Sequence, residues 1–278
     1  MEVPHLMASA FMARYSPKVP TIHLDELEAK PQTIVAFARE YPSCHLVELH
    51  RHERAQLIYA TQGVMRVDTP VGIWVVPPMR AIWVPPGIDH EIRASSTLQL
   101  RTLFVRWPLQ RSLPDECCVI EVSSLLRELI LRLVTLGASR ELPGDTGPMI
   151  EVIFEEMRRV KVLPMHVPLP VDARAKKVCY GILDNPADTR TSAQWGKSVG
   201  ASSRTLERLF KGEARTSFRE WRQQVRLLAA LQRLAEYTPI SVVAADLGYS
   251  SASAFTAMFK RTLGCPPRDF FPQEMVHE

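Results

Sequence analysis

Three histidines in the N-terminal half of the chain are spaced for ligand chemistry. His50 and His52 are one residue apart, and His90 follows later in the same half. Alternate residues of a β-strand project from the same face, so a third ring from a neighbouring strand can complete a facial set of ligands for a divalent ion. Imidazole nitrogen suits zinc, nickel, iron or copper. The spacing therefore indicates rings that can converge on one small ligand.

The histidine pattern resembles the motif of the cupin β-barrel. A cupin has two histidines one residue apart, a glutamate four positions later, a glycine seven beyond that, and then a Pro-x-Gly-x-x-His turn. The matching residues here are His50, His52, Gln56, Gly63, Pro85, Gly87 and His90. Only the glutamate differs, because Gln56 has an uncharged amide, which is a weak metal ligand.

Gln56 leaves two interpretations of this pocket open. In the first, three imidazoles bind a divalent transition metal without a carboxylate. The candidate metal ligands are then His50, His52, Gln56 and His90. In the second, neutral rings bind a small organic effector through hydrogen bonds. The candidate effector contacts are then His50, His52, Gln56, Tyr59 and His90. The loss of the carboxylate favours the pocket without a metal, so no cofactor is firmly predicted.

The residues around the histidines are predicted to form short strands. Alternating or β-branched runs, separated by turn signals, lie at residues 57–61, 64–69, 73–76, 81–84, 88–93 and 98–107. Such regular spacing is typical of a small antiparallel barrel or sandwich. We therefore assign residues 1–110 to a cupin-like, effector-sensing β-barrel domain.

The sequence pattern after the barrel becomes helical. An apolar stripe at helical spacing is formed by Leu125, Leu126, Leu129, Ile130, Leu133 and Val134. Such a helix can close the barrel mouth or pair with a second subunit, and we favour pairing in a homodimer. Residues 111–161 are predicted as this helical dimerisation or connector segment. Residues 162–171, with three prolines and no charge, are predicted as a semi-extended linker.

A second group of chemically informative residues lies near the C-terminus. Residues 241–247 have the apolar spacing of a short helix, and Gly248 follows where a helix end needs positive φ. Ser251 can cap a second helix, on which Lys260 and Arg261 are placed for contact with DNA phosphates. The two helices and the sharp turn between them predict a helix-turn-helix that reads DNA.

This run resembles the second helix-turn-helix of AraC/XylS-type transcription regulators. The family implies a degenerate copy upstream, and residues 192–200, with a following helix capped by Ser202, provide it. Residues 218–236 suit the rigid helix that joins the two copies in this family. The resemblance implies DNA contacts from Arg204, Glu207, Arg208, Lys211, Ser251, Ala252, Ser253, Thr256, Lys260 and Arg261.

The positive charge of the chain is concentrated in its C-terminal part. From Asp172 onward there are 16 lysines and arginines against 11 aspartates and glutamates, while the rest of the chain has 18 against 19. This excess supplies the counterion release that drives phosphate binding. Residues 172–278 are therefore predicted as an all-α DNA-binding domain.

Together these features predict an α+β protein of two domains. The first is a cupin-like antiparallel β-barrel with following helices, and the second is an all-α domain with two helix-turn-helix motifs. The first residues contain no basic leader, and no uncharged apolar run approaches the length of a membrane span. We therefore expect a cytoplasmic protein with no membrane partner.

The family resemblance implies a transcription regulator, not an enzyme. Its partners would be double-stranded operator DNA and a small-molecule effector, with RNA polymerase as a further partner of an activator. A subset of the family resembles this chain at residues 54–67, 71–78 and 83–92 and implies repression of an adjacent efflux transporter gene and of the regulator's own gene. The alternative is a cupin metalloenzyme, a dioxygenase or isomerase, fused to a DNA-binding domain. Gln56 argues against it, because most such sites use the glutamate.

Overall fold

The computed structural model describes residues 29–106, 113–137 and 146–271, and its N-terminal part is a two-sheet β-barrel. The strands are β1 (Ile34–Tyr41), β2 (Leu46–His50), β3 (Ala55–Gln62), β4 (Met65–Thr69), β5 (Gly72–Val76), β6 (Arg80–Val84), β7 (His90–Ala94), β8 (Leu98–Val105), β9 (Cys118–Glu121), β10 (Val162–Leu163) and β11 (His166–Pro168). One sheet has the order β1-β8-β3-β6-β9-β10 and the other β11-β5-β4-β7-β2. The predicted domain limits at residues 1, 110, 111 and 278 lie outside the described residues.

Strand β3 is buried on both of its faces. Ile58 packs in the core between the two sheets, whereas Leu57 and Tyr59 pack in a second cluster on the outer side of the six-stranded sheet. Two helices, α1 (Ser124–Gly137) and α2 (Gly147–Arg159), cover that outer side. A strand with two covered faces is buried at consecutive positions, and β3 is buried at every position from Ala55 to Ala60.

The apolar stripe of α1 is in large part intramolecular. Leu126, Ile130 and Leu133 are buried in the cluster between the six-stranded sheet and α2. Leu129 is half-buried at the edge of this contact, and Leu125 is 51% exposed. The prediction that the whole stripe pairs with a second subunit is therefore wrong for the buried residues, because the outer face of the sheet needs an apolar cover.

The segment predicted as a linker, residues 162–171, is instead part of both sheets. Strand β10 lies at one edge of the six-stranded sheet, and β11 lies at one edge of the five-stranded sheet. The side chains buried along this segment are Leu163, Met165, Val167 and Leu169, at alternate positions. Its prolines are tolerated because an edge strand does not need every backbone N–H for pairing. The alternation of apolar residues, rather than the prolines, decides the structure here.

Two other strands lie where none is predicted. Strand β9 falls inside the segment predicted as a helical connector and pairs with β6 and β10. Strand β1 precedes the predicted strands and pairs with β8. Each of these strands pairs with a partner distant in the sequence, so its place depends on contacts that a local pattern does not contain.

The C-terminal part is all α, as predicted, and it contains both helix-turn-helix units. Its helices are α3 (Ala173–Asp184), α4 (Ser192–Ser198), α5 (Ser203–Glu213), α6 (Phe218–Ala235), α7 (Ile240–Asp246), α8 (Ala252–Leu263) and α9 (Pro267–Phe270). Ser202 Oγ accepts a hydrogen bond from the Thr205 amide at 3.0 Å, and Gly200 has a φ of 67°. Before α8, Ser251 and Gly248 repeat these features, with an accepted bond of 3.1 Å and a φ of 75°. The predicted caps and turns are thus confirmed.

Helix α6 joins the two helix-turn-helix units and packs against the barrel. Trp221 Nε1 donates a hydrogen bond to the carbonyl oxygen of Pro168 in β11 at 2.7 Å, and Gln232 Nε2 donates to Ser95 Oγ at 3.0 Å. The apolar core between the sheets continues into the helical part as one cluster. Among the described helices, none has the length and apolar character needed to span a bilayer.

Gly196 is a position where a side chain would disturb the first helix-turn-helix. A Cβ atom built there would lie 2.5 Å from the carbonyl oxygen of Ala201, whereas nothing lies within 4 Å of a Cβ at Gly212 of α5. We expect Gly196→Ala to lower the free energy of unfolding by about 1–3 kcal/mol through overpacking. Gly212→Ala is the control and should be neutral or stabilising by up to ~1 kcal/mol, because alanine is the better helix former. Urea unfolding followed by circular dichroism measures both, and equal stabilities would contradict the close approach.

Candidate functional site

The three predicted histidines meet where β2 ends and β7 begins. His50 and His90 are paired across the antiparallel ladder, and their ring centroids are 4.3 Å apart. His52 lies beyond the end of β2, so the prediction that it alternates with His50 on one strand is wrong. Its ring is still 5.2 Å from that of His90, and one nitrogen of each ring lies within 4.8 Å of the others. The structure thus brings all three rings together.

The backbone fixes the orientation of every ring. Each Nδ1 contacts a carbonyl oxygen, which can only accept a hydrogen bond. The pairs are His50 with Glu48 at 2.7 Å, His52 with Arg54 at 2.5 Å and His90 with Ile88 at 2.8 Å. In a neutral ring Nδ1 therefore carries the proton, and Nε2 carries the lone pair. Nε2 is then the atom that each ring offers to a ligand.

Gln56 faces the rings with its side-chain amide oxygen. Gln56 Oε1 lies 2.9 Å from His52 Nε2 and 3.2 Å from His90 Nε2. On the other side, the amide nitrogen donates to Thr102 Oγ1 at 3.0 Å, and the Thr102 hydroxyl donates to the carbonyl oxygen of Leu57 at 3.0 Å. The residue that replaces the cupin glutamate therefore stands at the centre of the cluster, and Thr102 is a site residue that the motif does not predict.

Burial favours the neutral form of two of the rings, His50 and His90. Burial is the largest cause that lowers the pKa of His90, to about 3, and the neighbouring His50 and His52 rings lower it further. Burial also lowers the pKa of His50. Among the described residues, no carboxylate or thiolate belongs to the cluster. Neutral imidazole is the form that binds a metal or accepts a hydrogen bond from an organic ligand, so the arrangement fits either kind of ligand.

Tyr59 does not belong to this cluster, so its predicted contact with an effector is wrong. Side chains alternate along a strand, which places Gln56 on the inner face of β3 and Tyr59 on the outer face. The Tyr59 hydroxyl donates to Met79 Sδ at 3.5 Å. The two residues are three positions apart, and an odd spacing on one strand separates the faces. If Gln56 faces the pocket, this rule places Tyr59 on the opposite face, and the sequence alone is enough to apply it.

The same alternation offers a signal for Thr102. The inner row of β8 consists of Leu98, Leu100, Thr102 and Phe104. Threonine is the single polar residue in this row, and a buried hydroxyl needs a partner. The Phe104 ring completes the surroundings of the site, because it contacts the His52 ring edge to face at 5.1 Å.

The residues predicted to contact DNA lie off the buried faces of α5 and α8. The buried residues of the two helices are Leu206, Leu209, Phe210, Phe255, Met258 and Phe259. The exposed candidates are Arg204, Arg208, Lys211, Ser251, Ser253, Lys260 and Arg261, and the half-buried ones are Glu207, Ala252 and Thr256. Apolar packing thus holds each reading helix while its cations face solvent.

Comparison with known proteins agrees with both halves of this arrangement. The family described as AraC-like ligand binding domain matches residues 33–146, and the family described as helix-turn-helix domain matches residues 195–273. The HTH-type transcriptional regulator NimR of Escherichia coli strain K12 is 33% identical over 219 residues, which are 79% of this chain and 80% of that protein. The chain belongs to the AraC family. This confirms the predicted fold and function, an effector-controlled regulator that binds DNA.

More distant similarities include one further curated AraC-family protein and one solved structure. The arabinose operon regulatory protein of Salmonella typhimurium strain LT2 is 28% identical over 203 residues, which are 71% of this chain and 65% of that protein. A crystal structure of ToxT from Vibrio cholerae O395 has a TM-score of 0.37 and 10% identity, over 86% of this chain and 96% of that one.

The two reading helices of this AraC-family chain differ in what they present to DNA. Helix α5 exposes Arg204 and Arg208, whereas α8 presents small side chains, among them Ser253, at the corresponding positions. A bidentate arginine on guanine supplies about 1–3 kcal/mol of base discrimination. We expect Arg208→Ala to relax sequence choice in one half of the operator. Lys260→Ala should weaken binding to all sequences alike and reduce the salt slope by about 1.

Competition binding measures both effects over a range of salt concentrations. The DNA would be an operator obtained by in vitro selection, together with duplexes altered in either half. Ser253→Ala is the matched control on α8 and should change discrimination little, because it removes no bidentate side chain. If Ser253→Ala relaxes sequence choice as much as Arg208→Ala does, the two helices read DNA equally and the prediction is wrong.

Proposed function

We propose that the histidine cluster is the effector site of this regulator and that its occupancy controls operator binding through α6. The observation that supports this proposal is the course of β7. The strand begins at His90 in the cluster, and the residue after its end, Ser95, accepts a hydrogen bond from Gln232 of α6. Helix α6 in turn joins the two units that read DNA.

The barrel holds the DNA-binding part at several points besides Gln232. The carboxylate of Glu213, the last residue of α5, accepts hydrogen bonds at 2.7 and 2.8 Å from the amides of Val171 and Asp172, in the segment that connects β11 to α3. Trp221 of α6 donates to β11, as described above. A displacement of β7 relative to these fixed points therefore changes the position of α6, and with it the spacing that the reading helices offer to DNA.

Thermodynamics sets the condition for such control. An effector alters DNA affinity only if it binds the DNA-competent and the incompetent states with different affinity. The cluster meets this condition if a ligand changes the separation of His50 and His90, because these residues belong to neighbouring strands. The apolar stripe of α1 is less suited to transmit a signal, since its buried side is occupied by the protein's own sheet.

A double-mutant cycle tests this path without knowledge of the effector. We expect His50→Ala and Gln232→Ala to change the affinity for a selected operator non-additively, by about 0.5–2 kcal/mol, since both alter one coupled element. The control pairs His50→Ala with Gln223→Ala, because Gln223 lies on the same helix and makes no hydrogen bond with described residues. Fluorescence anisotropy supplies the four affinities of each cycle. Additive effects in the Gln232 cycle would remove the support for coupling through α6.

We also propose that the regulator is a homodimer that uses the outer side of α1 and α2. Leu125 on α1 and Val152 on α2 are 51% and 43% exposed, and the two helices pack on each other. A charge placed at Leu125 would meet its symmetry mate across a twofold interface. We expect Leu125→Arg to be monomeric in analytical ultracentrifugation and to lose tight binding to paired operator sites but not to single sites.

Val71→Arg is the matched control for the dimer, because Val71 is an exposed valine in the turn between β4 and β5. This variant should keep the association state of the unchanged protein. A Leu125→Arg variant that sediments as the unchanged protein does would show that the outer side of α1 is not the subunit contact.

The finer features of the function follow from the resemblance and stay predictions. The relatives named above are transcription regulators, and none of their names describes an enzyme. We therefore prefer regulation to the alternative of a metalloenzyme fused to a DNA-binding domain. A chromosomal operator would place the chain in the cytoplasm. A promoter fusion would decide between repression of an adjacent exporter gene and activation through RNA polymerase.

A further inference from the structure

The polarity of the hydrogen bonds around Gln56 determines which amide atom faces the rings. The carbonyl oxygen of Leu57 can only accept, so the hydroxyl proton of Thr102 is used in that contact. The Thr102 oxygen must then accept at its contact with Gln56, where only the amide nitrogen can donate. This relay turns Oε1 of Gln56, and not its NH₂ group, toward the histidines.

Acceptors therefore face acceptors inside the cluster. In the neutral rings, Nε2 of His52 and Nε2 of His90 carry lone pairs, because Nδ1 of each ring donates to the backbone. Both are directed at Oε1 of Gln56, which also has only lone pairs to offer. Within the described ranges, the hydrogen bonds of the cluster bring no donor to this point. Converging lone pairs repel one another, and a cation between them turns the repulsion into coordination.

We propose that the cluster binds a divalent transition-metal ion through the three histidines and Oε1 of Gln56, and that Thr102 is the positioning residue that makes the amide a ligand. The ligand atoms are Nε2 of His50, His52 and His90 and Oε1 of Gln56. Three imidazoles and one oxygen suit zinc, nickel, cobalt or copper, whereas magnesium and calcium prefer oxygen ligands throughout. The metal site itself does not depend on the proposed function. The role of the metal as effector rests on it.

The neutral ligand set suits a sensor better than a permanent cofactor site. With Gln56 in place of glutamate, no ligand charge compensates the ion, so the ion is held less tightly and can leave. The ring nitrogens lie within 4.8 Å of one another. Bonds of about 2.0–2.1 Å to one zinc ion bring such nitrogens to roughly 3–3.5 Å apart. Binding would therefore hold the three nitrogens at one fixed separation and with them the start of β7, the strand whose far end contacts α6.

The test is a titration of the full chain, freed of metal by a chelator, with Co²⁺. Visible absorption reports nitrogen and oxygen ligands on the ion, and equilibrium dialysis with metal analysis gives affinity and stoichiometry. We expect one ion per chain, its loss in His90→Ala, and tighter binding in Gln56→Glu, which adds the missing charge. Thr102→Val should weaken binding by about 10–100-fold, the usual effect of a lost partner of a ligand, and Thr102→Ser should restore it.

Thr61→Val is the matched control for Thr102→Val. Thr61 lies on β3, in the same sheet as Thr102. Its hydroxyl donates to Oε1 of Gln99 on β8 at 3.1 Å and not to a residue of the cluster. This variant should bind Co²⁺ as the unchanged protein does. The inference is overturned if the unchanged protein binds no stoichiometric ion, or if Thr102→Val binds as tightly as Thr102→Ser. If thermal unfolding shows that Thr102→Val does not fold, the Gln56→Glu variant decides. The inference is then overturned if this variant binds Co²⁺ no more tightly than the unchanged protein does.

A second measurement separates this inference from the proposed function. Operator affinity is compared with and without saturating Co²⁺, and we expect a change of about fivefold or more, the lower end of allosteric coupling. Stoichiometric binding with unchanged operator affinity would overturn the metal as effector and leave the metal site in place. If the chain binds no Co²⁺ but the double-mutant cycle shows coupling between His50 and Gln232, the metal site is overturned. The effector site is then one for an organic ligand.

Discussion

The burial of β3 on both faces is the constraint on which the rest of the structure depends. Its inner side chains, Gln56 among them, face the core between the sheets, while Leu57 and Tyr59 face the cover formed by α1 and α2. Because side chains alternate along a strand, a shift of one residue would exchange the two sets. The strand lies between β8 and β6 near the centre of its sheet, so one register fixes both the site and the helical cover.

A polar cluster inside an apolar barrel is stable only if the protein supplies its hydrogen bonds. Here backbone carbonyls bind Nδ1 of each histidine, and the relay from Gln56 through Thr102 ends on the carbonyl oxygen of Leu57. The rings are therefore oriented before any ligand arrives, which reduces the entropy lost on binding. Among the described residues, the cluster brings no donor to its converging lone pairs, and this is the observation behind the proposed cation site.

The two halves of the chain share one apolar core, and this affects how regulation can work. Residues 162–171 complete the edges of both sheets instead of forming a tether, and α6 packs directly on β11. A flexible linker would change only the effective concentration of the reading helices. A packed contact has discrete arrangements, so a small change at the proposed effector site can be converted into a different placement of the DNA-binding part.

Both helix-turn-helix units depend on residues that are near neighbours in the chain. The caps Ser202 and Ser251, the positive-φ glycines and the 3.6-residue period act within one or two turns, and for this reason both helix-turn-helix units were predictable. Other features depend on contacts between segments that are distant in the chain, which no local pattern contains. Residues 162–171 are strands because edges of two sheets accept them, and Leu126 is buried because the protein's own sheet covers it. Thr102 belongs to the site because β8 lies beside β3, and a single sequence does not record which strands become neighbours.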